Sequence, residues 1–305
     1  MGNKFPHFPD FRPLELEDRE AIDLFTRQYA PYSDFNFFNL FCFHACGDCQ
    51  VSILNGNLVV RMCDYITLEP FYSFLGSNRV AETIEHLLAF AREQAASPYL
   101  RLIPEFCIRE ALDHVDKRFV FSEDPDNADY IIDVPSMVAL TSGLWRGKRK
   151  AASKFKRSHP NHVIEHIHLH DSGTQAQIRR LFSIWAEKRG KSPEGVRREI
   201  FALERAMQHA KHFNLVSLGG FVGERRESFT INEAVHDGYY IGHFGKANPV
   251  FPGLATVLES ETARIMLSYG CGYMNYQQDL GLAGLRQFKH SWHPSSYLRK
   301  FTVSM

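Results

Sequence analysis

The strongest constraint that this 305-residue sequence places on its fold is an order of elements that occurs twice. In the first half, Asn55-Gly56 lies between the β-rich runs QVSIL and NLVVRM. A type I′ turn needs positive φ at both central residues, so the pair predicts a hairpin. A helix over 78–95 follows, with Val80, Ile84, Leu87 and Leu88 on one face and Ser77 as its N-cap. Next come a short strand at 99–103, a helix opening at Pro104 and a strand at 118–122. The second half repeats this order. Strands at 215–223, 227–235 and 239–247 lead to a helix at 254–269, a short strand at 272–275, a helix at 282–290 and a closing strand at 296–303. The halves share negligible sequence identity, so only the architecture repeats, as after a tandem duplication. The prediction is an α/β protein of two tandem units, each a mixed, largely antiparallel sheet flanked by helices. The polar stretch SEDPDNAD at 122–129 places the boundary, giving units at 1–125 and 126–305.

The remaining elements are signalled locally. A helix is expected at 18–29, and the aromatic run PYSDFNFFNLF at 31–41 reads as a buried helix or turn. YIIDV at 130–134 and HVIEHIHL at 162–169 read as strands, while Ser172 and Ser192-Pro193 each open a helix. The length suits two ordinary domains, and 44% apolar with 23% charged residues is globular composition. No apolar run approaches the ~20 residues that span a bilayer, and residues 1–10 lack an apolar signal core, so a cytoplasmic protein is expected. Thirty-five Lys and Arg balance 35 Asp and Glu, which excludes a global basic footprint for nucleic acid. Locally the picture differs: RGKRKAASKFKR at 146–157 is a helix with seven cations and no acid.

Three further motifs carry no site. Cys42, Cys46 and Cys49 have a spacing that can hold an iron–sulfur cluster, but they run into the hairpin with no repeated βα units behind them. The six cysteines are therefore read as reduced thiols. His166, His168 and His170 alternate on a predicted strand and would face one side, as zinc ligands can. No fourth ligand accompanies them, so a polar strand face is the reading and no metal is expected. Gly219-Gly220 and Gly223 lead into no helix, so there is no dinucleotide fingerprint.

The sequence near the C-terminus is more specific. YMNYQQDLGLAGLRQFKHSWHPSSYLRKF at 273–301 resembles the family of phosphatidylglycerol lysyltransferase C-terminal domains, matching at Asn275, Asp279-Leu280-Gly281, Gly284-Leu285-Arg286, Lys289 and Pro294. Weaker similarity lies in PYSDFNFFNL, EDPDNADYI, the basic helix with HPNHVIEHI, and FGKANPVFPGL. In this sequence Arg149-Lys150-Ala151 follow Lys148 where the family's basic helix carries Lys-Arg-Asn, so no role resting on that Asn transfers.

The resemblance implies two GNAT-like (acyl-CoA N-acyltransferase-like) units and transfer of an activated acyl or aminoacyl group. The donor would be aminoacyl-tRNA or acyl-CoA as co-substrate, with no tightly bound cofactor, and the acceptor an amine or hydroxyl of a lipid or small molecule. A non-catalytic anion-binding module is the third reading. Donor phosphates would sit at the N-terminus of the helix at Gly253 and Leu254, where unpaired N–H groups and the helix dipole favour anions, with Lys246 adding charge. That loop is poorer in glycine than the acyl-CoA loops it resembles, which favours aminoacyl-tRNA. Lys148, Arg149, Lys154 and Lys156 of the basic helix would bind tRNA or another anionic donor. Contact with a membrane surface stays open. Catalysis would fall to Asp279, which would anchor the acceptor's ammonium or take its proton, to Arg286 and Lys289 as an anion clamp three residues apart on one helix face, and to Asn275 at the end of a short strand; by residue type alone Asp279 and Arg286 equally suit a structural salt bridge.

Overall fold

The computed structural model describes residues 4–43, 47–94, 96–113, 118–190 and 192–305. Its contacts divide into two compact units. The first comprises 1–129, 278–286 and 297–305, and the second 130–277 and 287–296.

In the first unit, β1 (Arg12–Pro13), β2 (Gln50–Leu54), β3 (Asn57–Cys63) and β4 (Pro70–Leu75) form one antiparallel sheet in that order. The β2–β3 hairpin turns at Asn55 and Gly56, whose φ values of 54° and 82° are the left-handed pair the dipeptide predicts. Helices α1 (Arg19–Thr26), α2 (Phe37–Cys42) and α3 (Val80–Glu93) accompany this sheet. The aromatic run is buried as expected, with Phe35, Phe37 and Phe38 fully inside. Ser77 does not cap α3. The N-cap is Arg79, in left-handed conformation, because the Asn57 side chain holds both the N–H and the C=O of Asn78 and so delays the helix. Strand β5 (Leu100–Pro104) runs into α4 (Glu105–Asp113), and β6 (Val120–Glu123) follows. Cys63 is disulfide-bonded, which corrects the expectation of reduced thiols throughout. Cys42, Cys49, Cys107 and Cys271 are free and buried, and Cys46 lies outside the described residues.

The second unit is built on a larger sheet. Strand β7 (Asp129–Asp133) leads into α5 (Val134–Ala139), then α6 (Arg146–Ser158), which is the basic helix. Strand β8 (Val163–His166), α7 (Ser172–Lys188) and α8 (Pro193–Gln208) come next. Strand β8 ends at His166, so His168 and His170 do not share its face, and no metal-ligating cluster occurs among the described residues. The cap of α7 is Asp171 rather than Ser172, since the Asp171 carboxylate accepts from the Thr174 N–H at 2.6 Å. A meander of β9 (Leu215–Val222), β10 (Arg225–Ala234) and β11 (Tyr239–Ala247) precedes α9 (Leu254–Ser268) and β12 (Tyr273–Asn275). Beyond a short edge strand, Ser296–Leu298, beside β7, the sheet order is β7-β12-β11-β10-β9-β8, and from β7 to β8 the pairs are antiparallel except for β11–β12. That pair runs parallel only from Tyr239↔Tyr273 to Ile241↔Asn275. Beyond it β11 stays paired with β10 alone.

The C-terminal segment supplies α10 (Ala283–His290), β13 (Ser296–Leu298) and β14 (Lys300–Ser304). Strand β14 does not close the second sheet. It lies between β5 and β6 in the first unit, antiparallel to both. Its Lys300 is fully buried there, with its ammonium on Asp129 at 2.7 Å and on Asp34. The hydroxyl and N–H of Ser33 donate to the same Asp129 carboxylate at 2.6 and 2.7 Å.

Candidate functional site

The motif at 279–286 forms a closed ion pair. The Asp279 side chain is buried and accepts from Arg286 Nε at 2.9 Å, from the second guanidinium nitrogen at 3.0 Å and from the Gly281 N–H at 2.8 Å. Arg286 also reaches Asp126, and both carboxylates raise its pKa, Asp279 most strongly. This bidentate geometry fastens the first turn of α10. Lys289 is buried and donates to the Tyr276 carbonyl at 2.5 Å, with Tyr276 and Tyr130 rings beneath its ammonium at 5.6 and 5.8 Å. The buried Asn275 side chain accepts from the Gln277 N–H at 2.7 Å. Asp279 and Arg286 therefore come together, whereas Lys289 and Asn275 hold backbone in the second unit.

The expected donor residues also find partners within the protein. Lys246 pairs with Glu199 at 2.5 Å and lies 4.2 Å from the Trp185 ring centroid. Gly253 has φ of 95°, and a Cβ there would meet the Ala151 carbonyl oxygen of α6 at 2.3 Å. Its close backbone approach is thus to α6, and Leu254 is buried behind it. Arg149 donates to the carbonyls of Leu140 and Ser142 at the end of α5. Lys154 is exposed, and Lys156 faces Glu261 at 3.9 Å.

Lys148 turns the other way. Its ammonium sits 4.0 Å from the Trp292 ring centroid and 5.2 Å from that of Phe288, and burial pulls its pKa down to about 8 against the attraction of Glu259. Glu259, on α9, is the centre of this arrangement. Its carboxyl is buried, and desolvation pushes its pKa up to about 7, opposed by the Tyr276 hydroxyl and by Lys148. The Tyr276 hydroxyl donates to Oε1 at 2.8 Å, while Oε2 has no hydrogen-bond partner among the described residues. The Tyr240 hydroxyl and the Trp292 Nε1 are also buried and have no hydrogen-bond partner among the described residues. Gly245 makes room for the carboxyl: a Cβ there would stand 3.0 Å from Oε1. Tyr240 and Trp292 belong to the apolar cluster of Ile132, Met137, Trp145 and Met274, which excludes water behind the site.

The site is in the second unit, where β11 and β12 part. A carboxyl titrating near neutrality, a cation of lowered pKa and three buried hydroxyl or N–H groups can accept a proton and stabilise an oxyanion. Sequence reasoning did not single out Glu259, Tyr276, Tyr240 or Trp292. Glu259 reads as an ordinary helix acid, and the only hint was Gly245 inside a strand pattern.

The family model described as phosphatidylglycerol lysyltransferase, C-terminal, matches residues 26–304. Among solved structures, a conserved protein of unknown function from Bacteroides thetaiotaomicron VPI-5482 superposes with a TM-score of 0.82 at 21% identity, over 96% of this chain and 98% of that one. The C-terminal domain of a putative lysylphosphatidylglycerol synthetase from Agrobacterium fabrum gives 0.64 at 12% identity, over 94% and 90%. A tandem GNAT protein from the clavulanic acid biosynthesis pathway gives 0.51 at 9% identity, over 96% and 97%, which supports the tandem GNAT-like fold. No curated protein sequence matches the chain.

Proposed function

The chain belongs to the phosphatidylglycerol lysyltransferase C-terminal family, and from that premise we propose that it transfers an aminoacyl group from aminoacyl-tRNA to an amine or hydroxyl of a lipid or small acceptor. The observation that carries this reading is Glu259, a buried carboxyl with one oxygen held by Tyr276 and the other unpartnered.

In the proposed reaction the acceptor's amine or hydroxyl attacks the ester carbonyl while Glu259 takes its proton. The Lys148 ammonium and the Tyr240 hydroxyl stabilise the tetrahedral oxyanion. Collapse breaks the ester bond, and the departing ribose oxygen recovers the proton from Glu259. Asp279 and Arg286 contribute by fixing the turn that begins α10, and Lys289 by holding the Tyr276 backbone. Residues 146–157 remain the surface proposed for an anionic donor or lipid.

Two contacts count against acyl-CoA as donor. The Gln277 amide donates to the Gly242 carbonyl at 2.7 Å, just beyond the last β11–β12 pair, and the α9 entry at Gly253 is packed on the α6 backbone. A thioester arm and its phosphates would have to displace both.

The test is turnover by purified protein given lysyl-tRNA with phosphatidylglycerol, or acetyl-CoA with a panel of amines. Transfer from lysyl-tRNA is expected, falling about 10²–10⁴-fold in Glu259→Gln with folding unchanged. Transfer from acetyl-CoA alone, or full activity in the variant, would contradict the reading.

A further inference from the structure

A lysine that lays its ammonium on aromatic rings loses hydration, and the charge is secure only where an anion or hydrogen-bond acceptors replace the water. Lys148 has the rings without the replacement. Its Nζ lies 4.0 Å from the Trp292 ring centroid and 5.2 Å from that of Phe288, and among the described residues it makes no hydrogen bond or ion pair. Of the charged groups on neighbouring elements, Glu259 of α9 attracts it, while Lys289 of α10 is turned to the Tyr276 carbonyl. Desolvation prevails over that attraction and lowers the Lys148 pKa to about 8. The other lysines of α6 keep water or an acid: Lys150 and Lys154 are exposed, and Lys156 faces Glu261. Lys148 is nonetheless only half-buried, so a small molecule can reach it beside the partly exposed Phe288. The Trp292 ring that it touches carries an Nε1 with no partner among the described residues, and Tyr240, whose hydroxyl is in the same state, belongs to the same buried cluster. A nucleophile and two oxyanion donors thus share one cluster.

We propose that Lys148 is an acylation site for small activated acyl compounds, such as acyl phosphates and activated esters. The neutral Nζ attacks the carbonyl carbon and a C–N bond forms. The C–O bond to the phosphate or ester oxygen then breaks, that oxygen leaves with the bonding pair, and the amine's surplus proton passes to water. A neutral amide replaces the ammonium. The modification stands on the surroundings of Lys148 alone and does not require Glu259 to be catalytic. Only its consequence, loss of the cation offered to an oxyanion, rests on the proposed reaction.

The experiment is trace labelling of the whole protein with isotopically labelled acetic anhydride, which stands in for the activated acyl compound. The label on each lysine is read by peptide mass spectrometry from about pH 6 to about pH 10, against an added amine standard. At pH 7 an amine of pKa about 8 is roughly 10% neutral, against about 0.03% for an ordinary lysine. Lower basicity and partial burial slow its attack, so Lys148 is expected to label at least about tenfold faster than Lys150 and Lys154. Its rate should level off above about pH 9, and unfolding in concentrated guanidinium chloride should abolish the difference. Labelling of Lys148 no faster than that of Lys150 and Lys154, a rate still climbing steeply at about pH 10, or a preference that survives unfolding would overturn the proposal.

Discussion

A buried carboxylate persists only if its charge is matched or removed, and Asp279 and Glu259 take different routes. Asp279 is matched by the two-pronged Arg286 contact, so Asp279→Asn should act first on stability. Because Arg286 is 42% exposed, about 1–3 kcal/mol is expected, measured by denaturant unfolding. Glu259 is instead pushed toward its neutral form by burial. Its folded pKa of about 7 lies above the ordinary 4.5, so the stability this group favours is complete below pH 4.5 and is lost as pH rises to 7. Glu259→Gln should therefore become relatively more stable than the parent between pH 5 and 8, read from thermal unfolding at each pH. The motif around Asp279 was legible in the sequence, but residue type cannot separate an ion pair from a proton acceptor. Glu259 was not legible, because its burial arises from Gly245, Tyr276 and Lys148, which come from three other elements.

Elements were more legible than their ends and partners. The hairpin at Asn55-Gly56, the meander of β9 to β11, and helices α8 and α9 follow directly from turn chemistry, capping and period. Helix α5 escaped notice because it has only six residues, although Asp133 accepts the Ser136 N–H at 2.8 Å beside Pro135, an ordinary N-cap arrangement. The loop into α9 shows how packing can redirect a local signal. Gly253 reads as room for a ligand, yet the space belongs to the Ala151 carbonyl, and the positive φ also disfavours any side chain. Gly253→Ala should lower stability by about 1–3 kcal/mol and loosen α6 from α9, seen as faster amide exchange in residues 146–158. Unchanged exchange would show that the clash is relieved elsewhere.

At the scale of the molecule, the repeated order of elements made two tandem units legible and the family resemblance made them GNAT-like, but neither told where the last strand goes. Strand β14 joins the first unit because Lys300 and its two acids form a network whose members are 171 and 266 residues apart, and no local pattern reports such pairing. Lys300→Ala would leave Asp34 and Asp129 buried without their cation, costing about 3–5 kcal/mol, measured by denaturant unfolding. The central claim, however, concerns chemistry in the second unit, and the dependence of kcat/KM on pH tests it most directly. Glu259 must be ionised to take a proton and Lys148 must be protonated to hold an oxyanion. With pKa values near 7 and 8, the rate should rise to a narrow bell between those limbs. Glu259→Gln should abolish the acid limb together with most of the rate. A variant that keeps both the limb and near-normal turnover would place the reaction elsewhere.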